Sequence, residues 1–226
     1  MDISFINPIK ADILSMEKIK LLIIGAGELG RQVNHYAGVD GRYECVGFVD
    51  DFHEVGETID GRKVIGNISD IGALWKQNVF DELFIAFGYK CLLEKQSLYD
   101  SLKDKYKFAT IIAAPQYIDS TSHIGEDVLI YPGVIIDKET YIGDNTIINL
   151  GSVISHNTSI GMSCFIGGNV SIAGFVNIGN NNFIGIGATI IDNTSICNNN
   201  IIGAGTLIIK NISMSGKYVG TPARRL

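Results

Sequence analysis

The sequence lacks the features that mark membrane, secreted and nucleic-acid-binding proteins. Its 226 residues contain no apolar run long enough to span a bilayer and no basic segment followed by an apolar one near the start. Neither membrane insertion nor a secretory signal is therefore expected. The formal net charge is −6 and no run of three basic residues occurs, which argues against a nucleic-acid surface. We predict a cytoplasmic protein with no nucleic-acid partner.

Cysteines are too few and too scattered to build a framework. Cys45, Cys91, Cys164 and Cys197 form no C-x-x-C pair, and Cys164 occupies an inward position of the repeat described below. Free thiols in a reducing compartment are expected, rather than disulfides or a zinc framework. No metal site is predicted.

What the sequence has in abundance is isoleucine at a fixed spacing. From Ile118 to Ile208, isoleucine occupies every sixth position without omission: 118, 124, 130, 136, 142, 148, 154, 160, 166, 172, 178, 184, 190, 196, 202 and 208. A small or β-branched residue follows most of them four positions later, and Gly, Asn and Asp crowd the positions between. This exact period fits neither a helix nor a single strand. It is typical of a solenoid in which each hexad is a short strand and a turn.

The predicted solenoid is a parallel β-helix with three hexads in each coil. Residues one coil apart then stack in columns with a spacing of about 4.8 Å, the distance between hydrogen-bonded strands. Isoleucine fills the interior, the small residue fits a tight corner, and Gly and Asn supply turns with positive φ. Because the isoleucines are core residues, function is expected from residues that face outwards.

A Gly-rich loop before the ladder predicts a nucleotide site. An apolar run that is typical of a buried strand leads into the pattern G-x-G-x-x-G, which starts at Gly25 and precedes a predicted helix. Gly25 and Gly27 permit a tight turn and a close approach of the backbone to a phosphate at the helix N-terminus. Asp50 and Asp51 follow the next strand, where a carboxylate can accept a hydrogen bond from a ribose hydroxyl or a base edge.

These patterns predict four segments. They are a leader at residues 1–15, with Met16 as an alternative start, an α/β Rossmann-like domain at residues 16–113, a β-helix at residues 114–212 and a tail at residues 213–226. The α/β segment has room for one βαβαβ half and a little more, whereas a dinucleotide fold uses two halves. A mononucleotide or a nucleotide-linked substrate is therefore expected, with NAD as the alternative.

One of the two histidines in the ladder is a candidate general base. His123 is expected to be structural, whereas His156 lies on an outward position, and the column spacing places Gly174 directly above it. A histidine can take a proton from an attacking amine near neutral pH. The backbone N–H of a glycine can donate to a thioester oxygen as that oxygen becomes an oxyanion. The pair predicts an acyl-transfer site that needs no metal.

Taken with the chain end Gly220-Thr221-Pro222-Ala223-Arg224-Arg225, these features resemble the bacterial nucleotide-sugar N-acyltransferases with a left-handed β-helix, whose relatives include sialic-acid O-acetyltransferases. The residues that carry the resemblance are Gly25-Ala26-Gly27, Gly30-Arg31-Gln32, Gly47-Phe48-Val49-Asp50-Asp51, Asn149 and Val153-Ile154-Ser155-His156. The resemblance covers nearly everything from Met16 to Leu226.

The resemblance implies an α/β Rossmann-like domain that binds the nucleotide of a UDP-, dTDP- or GDP-linked amino sugar, and a left-handed β-helix that binds acetyl-CoA. It also implies a homotrimer with active sites between neighbouring subunits. By position, His156 becomes the general base and Gly174 supplies the amide that meets the thioester carbonyl. The residues implied in substrate binding are Gly25, Gly27, Asp50, Asp51 and Asn149. Those implied in CoA binding are Gly174, Ile186, Gly187, Gly205 and Lys210.

The sequence departs from this family at one position. The residue after the histidine is commonly Asp or Glu, and here it is Asn157. An amide can orient an imidazole but cannot stabilise an imidazolium as a carboxylate can. Glu139 precedes Asn157 by one coil and is expected to stack beneath it, where it can supply the missing charge.

The predicted function is N-acetylation of a nucleotide-linked deoxyamino sugar for surface-glycan synthesis, by direct attack and without an acyl-enzyme. A rival within the same enzyme class is O-acetylation of a sugar such as a sialic acid, which the same base could serve. A metalloenzyme of the carbonic-anhydrase β-helix type would need a third histidine, and the spacing of His123 and His156 does not place these two in one column. A nucleotide-sensing trimeric scaffold is the non-enzyme rival, and a sugar nucleotidyltransferase is the least favoured function.

Overall fold

The computed structural model of the protein describes residues 17–226, which form an α/β domain followed by a parallel β-helix. The fold class predicted from the sequence is therefore confirmed. The predicted leader at residues 1–15 and the alternative start at Met16 lie outside the described residues. Among the described residues, no helix is long and apolar enough to cross a membrane.

The α/β domain is built on one sheet with the strand order β3-β4-β2-β1-β5-β6. Its strands are β1 Ile19–Ile24, β2 Tyr43–Val49, β3 Thr58–Ile59, β4 Arg62–Gly66, β5 Glu82–Ile85 and β6 Lys107–Phe108. Its helices are α1 Glu28–Asp40, α2 Ile71–Lys76 and α3 Leu92–Leu102, with 3-10 turns at Ile68–Asp70 and Tyr89–Cys91. The continuous apolar run of β1 is explained by its central place, since Leu21 to Ile24 are fully buried between parallel neighbours.

The β-helix consists of three sheets of parallel strands, which are two residues long except for β22. The domain sheet, which faces the α/β domain, contains β7 Ile111–Ile112, β10 Leu129–Ile130, β13 Ile147–Ile148, β16 Phe165–Ile166, β19 Phe183–Ile184 and β22 Asn200–Ile202. The second sheet contains β8 Tyr117–Ile118, β11 Ile135–Ile136, β14 Val153–Ile154, β17 Ser171–Ile172, β20 Thr189–Ile190 and β23 Leu207–Ile208. The third sheet contains β9 His123–Ile124, β12 Tyr141–Ile142, β15 Ser159–Ile160, β18 Asn177–Ile178 and β21 Ser195–Ile196.

The strand pairing confirms the predicted coil of three hexads. Ile136 pairs with Ile154, and Ile154 with Ile172, so that neighbouring strands lie one coil apart in sequence. The ladder isoleucines from Ile130 to Ile208 are buried in one apolar cluster, together with the small residues that follow them. The residue three places after each ladder isoleucine has positive φ in every turn from Ile124 to Ile202. The period of six therefore arises from a repeated strand and left-handed turn.

Each coil has three corners, which differ in their neighbours. The docked corner joins the third sheet to the domain sheet in the turns after Ile124, Ile142, Ile160, Ile178 and Ile196. The glycine corner joins the domain sheet to the second sheet in the turns after Ile130, Ile148, Ile166, Ile184 and Ile202. The histidine corner joins the second sheet to the third in the turns after Ile118, Ile136, Ile154, Ile172 and Ile190. The histidine corner is therefore the edge opposite the domain sheet.

A buried ion pair attaches the α/β domain to the docked corner. Lys95 of α3 is fully buried, and its Nζ lies 3.4 Å from Oδ2 of Asp127 and donates to the carbonyl oxygen of Asn145 at 3.0 Å. Asp127 Oδ1 accepts the backbone N–H of Ile85 at 2.9 Å. Burial raises the pKa of Asp127 to about 7 against the attraction of Lys95, and burial also lowers the pKa of Lys95. Because such a pair needs close geometry, it holds α3 at one place on the coil.

The transition between the domains is made by two short strands, β6 and β7, which belong to different sheets. β6 pairs with β5 of the α/β sheet, whereas β7 already pairs with β10 of the β-helix. The coil geometry thus begins at Ile111, before the predicted boundary after residue 113. The segment predicted as a tail contains β24 Gly216–Val219, which pairs with β22, and β25 Arg224–Arg225, which pairs with β24. The four-segment division remains a prediction.

The cysteines are free thiols in different environments. Cys45 and Cys164 are buried, and burial raises their pKa values to about 11 and about 12. Cys91, by contrast, is exposed, so only part of the set behaves as core thiols.

Candidate active site

His156 projects from the histidine corner at the end of β14. It follows Ile154 by two residues and precedes Asn157, whose positive φ of 56° turns the chain towards β15. The side chain is partly exposed, whereas the isoleucine before it points into the coil. Position 156 belongs to the turn after β14 rather than to the strand itself, so the imidazole projects outward at the corner.

Gly174 lies directly against the imidazole, as the column spacing predicts. A Cβ on Gly174 would lie 2.7 Å from Cε1 and 3.0 Å from Nε2 of His156, so the ring occupies the place of the missing side chain. The carbonyl oxygen of Gly174 accepts the N–H of Asn193 at 3.1 Å, but its own N–H has no acceptor among residues 17–226. An unused backbone donor beside an imidazole is the arrangement that an oxyanion site requires.

The orientation of the imidazole is controlled by a relay to Glu139. Asn157 Nδ2 donates to Glu139 Oε2 at 2.5 Å, and Asn157 Oδ1 lies 3.1 Å from Nδ1 of His156. Because a carboxylate can only accept, it orients the amide nitrogen towards itself and the amide oxygen towards the ring. A neutral imidazole must then carry its proton on Nδ1 and present the lone pair of Nε2. The relay therefore selects the tautomer that a general base needs.

The Gly-rich loop forms the tight turn predicted from its pattern, and phosphate binding by it remains a prediction. Gly25 has a φ of 102°, which favours glycine, and a Cβ on Gly30 would collide with the carbonyl oxygen of Gly25. Gly27 caps α1 with open space around the position of a side chain. The N-terminus of this 13-residue helix is therefore accessible to an anion.

Asp50 and Asp51 lie beside this loop, and both are engaged within the protein. Asp50 Oδ2 accepts the N–H of Ala26 at 2.7 Å, and Oδ1 accepts the N–H groups of Phe52 and His53 at 2.7 and 3.0 Å. Burial by itself would raise the pKa of Asp50, but these hydrogen bonds and the His53 side chain outweigh it and lower the pKa. Asp51 Oδ1 accepts the N–H of Ile68 at 2.9 Å. Asp50 thus stabilises the Gly-rich loop, and nucleotide contact by either carboxylate remains a prediction.

Asn149 lies on the glycine corner, beside a cavity that the first turns of α1 help to form. The cavity has a volume of about 590 Å³ and is lined by Glu28, Arg31, Gln32, His35, Tyr36, Asp60, Tyr131, Asn149 and Leu150. Tyr131 bridges its two walls, because its hydroxyl donates to Oε1 of Gln32 at 2.6 Å. The cavity therefore connects the Gly-rich end of α1 with the β-helix.

The residues implied in CoA binding are divided between two corners. Ile186, Gly187 and Gly205 lie on the glycine corner, where Ile186 is 60% exposed. Gly174 and Lys210 lie on the column of the histidine corner. The second sheet separates the two groups, and it carries a shallow cavity of about 360 Å³. This cavity is lined by Val153, Ser155, Ser171, Ile172, Ala173, Thr189, Ile190, Ile191 and Asp192.

Of the three predicted groups of site residues, the structure brings the catalytic group together fully. His156, Gly174, Asn157 and Glu139 are in contact at the histidine corner, whereas the Gly-rich loop lies in the α/β domain on the opposite side of the coil. Among the described residues, no group of three or more His, Cys, Asp and Glu side chains could hold a metal ion.

Sequence reasoning missed several residues that adjoin these sites. Arg31, Gln32 and Tyr131 line the cavity at α1, and only the fold reveals that they share it. Phe175 packs against His156, with ring centroids 5.1 Å apart. A signal for Phe175 was present, because it is a bulky residue at a ladder position occupied elsewhere by Gly, Asn, Asp, Ser, Thr or Glu.

Two family models match separate parts of the chain. Residues 20–113 match the PglD N-terminal domain, and residues 175–210 match the bacterial transferase hexapeptide model of six repeats. No curated protein is similar enough in sequence to count as a relative.

Solved structures match nearly the whole chain. A histidine-to-asparagine variant of perosamine N-acetyltransferase from Caulobacter crescentus, in complex with CoA and GDP-perosamine, has a TM-score of 0.86 and 27% identity. The match covers 92% of this chain and 96% of that one. The acetyltransferase domain of PglB from Neisseria gonorrhoeae, in complex with acetyl coenzyme A, has a TM-score of 0.85 and 22% identity, with coverages of 93% and 100%. WeeI from Acinetobacter baumannii has a TM-score of 0.74 and 23% identity, with coverages of 91% and 99%.

The two structures below 25% identity support the fold, and the Caulobacter enzyme also supports the activity class. Together with the family models, they confirm the resemblance stated from the sequence and the predicted enzyme class, an acyltransferase.

Proposed function

We propose that the protein transfers an acetyl group from acetyl-CoA to the amino group of a nucleotide-linked deoxyamino sugar, in the synthesis of surface glycans. The observation that carries this proposal is the contact of His156 with Gly174, together with the relay through Asn157 to Glu139. The CoA and GDP-perosamine bound to the Caulobacter enzyme support the choice of co-substrate and acceptor class. The base of the nucleotide, whether UDP, dTDP or GDP, is left open.

The reaction is a direct attack of the neutral amine on the thioester carbonyl. The new C–N bond pushes the carbonyl electrons onto oxygen, and the N–H of Gly174 stabilises that oxyanion. His156 Nε2 takes the proton released by the amine, which is worth roughly 10²–10⁴ in rate for a positioned general base. The C–S bond then breaks, and the imidazolium returns the proton to the sulfur of CoA. Amide and thiol leave, and no acyl-enzyme forms.

The proposal includes a homotrimer in which each active site lies between two subunits. It is supported by the position of the histidine corner, which is the edge opposite the domain sheet. A sugar whose nucleotide occupies the Gly-rich loop of the same chain would have to reach around the coil. A neighbouring prism can instead bring its own Gly-rich loop and glycine corner to this His156. This packing of two subunits would also bring the residues implied in CoA binding on the glycine corner of one subunit next to those on the histidine corner of the other.

Mixed trimers test the mechanism and the assembly together. His156→Ala removes the base, and Gly27→Asp places a carboxylate in open space at the helix N-terminus, where it repels phosphate and remains a good N-cap. Each variant alone is expected to release almost no CoA with acetyl-CoA and GDP-perosamine. Co-assembled chains should recover part of the activity, because some interfaces combine an intact histidine with an intact loop. Failure of mixtures to recover would argue for a site within one chain.

The same experiments separate the rival functions. The mass and fragmentation of the product distinguish N-acetylation from O-acetylation of a sugar such as a sialic acid. Absence of acetyl-CoA binding by calorimetry would favour the nucleotide-sensing scaffold. Cytoplasmic location is part of the proposal and is tested by cell fractionation.

A further inference from the structure

Phe175 is the residue of the ladder whose size contradicts its backbone conformation. It stands three places after Ile172 and has a φ of 58°, in the left-handed region. The corresponding positions from Asp127 to Gly205 hold Gly, Asn, Asp, Ser or Glu. A bulky side chain in this region is a true outlier, and such strain tends to occur at functional sites.

Burial of the Phe175 side chain does not compensate for this backbone strain. Phe175 is 56% exposed, so most of its surface remains in contact with water. Its contact is with the imidazole of His156, which it meets at an interplanar angle of 84°. Phe175 also follows Gly174 directly, so the smallest and the largest residues of the corner stand side by side at the general base.

The position of the ring indicates which substrate it meets. The cavity on the second sheet includes Ala173 and Asp192 but not Phe175, which follows Gly174 in the turn that leads to the third sheet. If acetyl-CoA lies along the second sheet, the acceptor approaches from the side of Phe175. Its amine must come within hydrogen-bond distance of Nε2, so its sugar ring falls within van der Waals reach of a phenyl ring centred 5.1 Å from the imidazole.

We propose that Phe175 is a specificity-determining residue, whose exposed ring forms the apolar wall of the acceptor site beside His156. This inference rests on the proposed function and sharpens its acceptor class. A deoxy sugar carries a methyl group and bare C–H groups, which bury apolar surface against an aromatic ring. A sugar that keeps a hydroxymethyl group there must desolvate a hydroxyl against the same ring. Phe175 therefore selects deoxy acceptors.

The test compares two acceptors that share nucleotide and amine but carry methyl or hydroxymethyl at C6 of the sugar. Wild type is expected to prefer the methyl acceptor by about 10-fold or more in kcat/KM, the range that one such group gives in a pocket. Phe175→Asn introduces the residue that the ladder favours in this turn. It should raise Tm by about 2–4 °C through relief of strain while reducing the preference to near one. The KM for acetyl-CoA should stay unchanged, and Phe175→Tyr should keep the preference.

A matched control places the same strain elsewhere. Asn199 has a φ of 61° on the docked corner, so Asn199→Phe should lower Tm and leave both kcat/KM values unchanged. Wild type without a preference, or Phe175→Asn with the wild-type preference, would overturn the inference while leaving acetyl transfer established. Wild type that releases no CoA with any nucleotide-linked amino sugar would overturn the proposed function itself.

Discussion

The docked corner and the histidine corner have the same strand-and-turn backbone, but they differ in how their outward backbone N–H groups are bonded. On the docked corner, side-chain oxygens accept hydrogen bonds from backbone N–H groups of the preceding coil. Glu126 N–H donates to Asp144 at 2.9 Å, Met162 N–H to Asn180 at 3.0 Å and Asn180 N–H to Asn198 at 2.8 Å. At the corresponding place on the histidine corner, Gly174 has no side chain and the imidazole of His156 fills the gap. The carboxylate of Asp192, one coil further, accepts from its neighbour Asn193, so the amide of Gly174 has no acceptor in the part of the chain that the structure describes.

This difference shows how a repeat fold separates stability from chemistry. Isoleucine lines the interior on all three sides of the coil, so the same apolar core lies behind each corner. Only the outward residues differ, and on the docked corner several of them bond to α3 or to one another, as Asn181 does with Gln96 and Asn145 with Ser163. On the histidine corner, the N–H of Gly174 and Nε2 of His156 have no partner among residues 17–226, so both are free to act on a substrate.

The strongest way to break the comparison is to remove the base. His156→Ala is expected to lower kcat by about 10²–10⁴-fold with little change in Tm, because the side chain is partly exposed and supports no core. Asn198→Ala on the docked corner should do the opposite, since it removes the acceptor of Asn180 N–H and lowers Tm without lowering kcat. CoA release and thermal unfolding measure both. Near-wild-type turnover in His156→Ala would end the general-base assignment.

Breaking the attachment of the docked corner should act on stability. Lys95→Met leaves the carboxylate of Asp127 buried without its partner, which should cost about 3–5 kcal/mol of unfolding free energy. The pKa of Asp127 is already raised to about 7, above its unfolded value, so its contribution is present at acidic pH and is lost as pH rises through 7. Without Lys95 this loss should deepen.

Denaturant unfolding of Lys95→Met should therefore show a larger defect at pH 8 than at pH 5. Lys103→Met is the control, because Lys103 directly follows the same helix, forms an exposed pair with Asp100 and should change little. A defect that is equal at the two pH values would contradict the assignment of the ionised carboxylate as its cause.

Transferring the pattern of one corner to the other should abolish most of the activity. Gly174→Asn gives the histidine corner the residue type of the docked corner, but its Cβ would lie 2.7 Å from Cε1 of His156. The displaced ring and the altered amide should reduce kcat by about 10²-fold, the loss seen when an oxyanion donor is removed. Gly72→Ala, whose new Cβ would lie 3.7 Å from the Tyr106 hydroxyl, controls for glycine replacement as such. Unchanged kcat would show that the imidazole can act from another position.

The smallest effect is expected from the relay. Glu139→Gln keeps the size of the side chain but can present either oxygen or nitrogen to Asn157, so the amide is free to turn and His156 loses its fixed tautomer. We expect about a 10-fold decrease in kcat, consistent with the lower end of a general base's contribution. The KM values should be unchanged, because neither residue is placed against substrate. Glu126→Gln makes the same change on the docked corner and should have no effect on kcat.

The two sides of the molecule were unequally predictable from sequence. The unbroken register of the ladder placed His156 beneath Gly174 and Glu139 beneath Asn157, because residues that stack in a β-helix are separated by a constant number of residues. No such register links α3 to the coil, so the pairing of Lys95 with Asp127 depends on a tertiary contact that only the fold reveals. The engagement of Asp50 with the amide of Ala26 was hidden for the same reason. Phe175 was visible as a departure in the pattern, but its meaning required its φ.

The covering of the last coil has a consequence for solubility. A β-helix ends in open strand edges, which are templates for pairing with another chain. Here β24 covers β22, Ile212 bridges to Ile196, and the N–H of Ala223 donates to the carbonyl oxygen of Leu207, so each of the three sheets has its final edge occupied. The charged strand Arg224–Arg225 then forms the outermost layer. The segment after the ladder thus caps the last coil and prevents further β-strands from adding to it and forming a fibre.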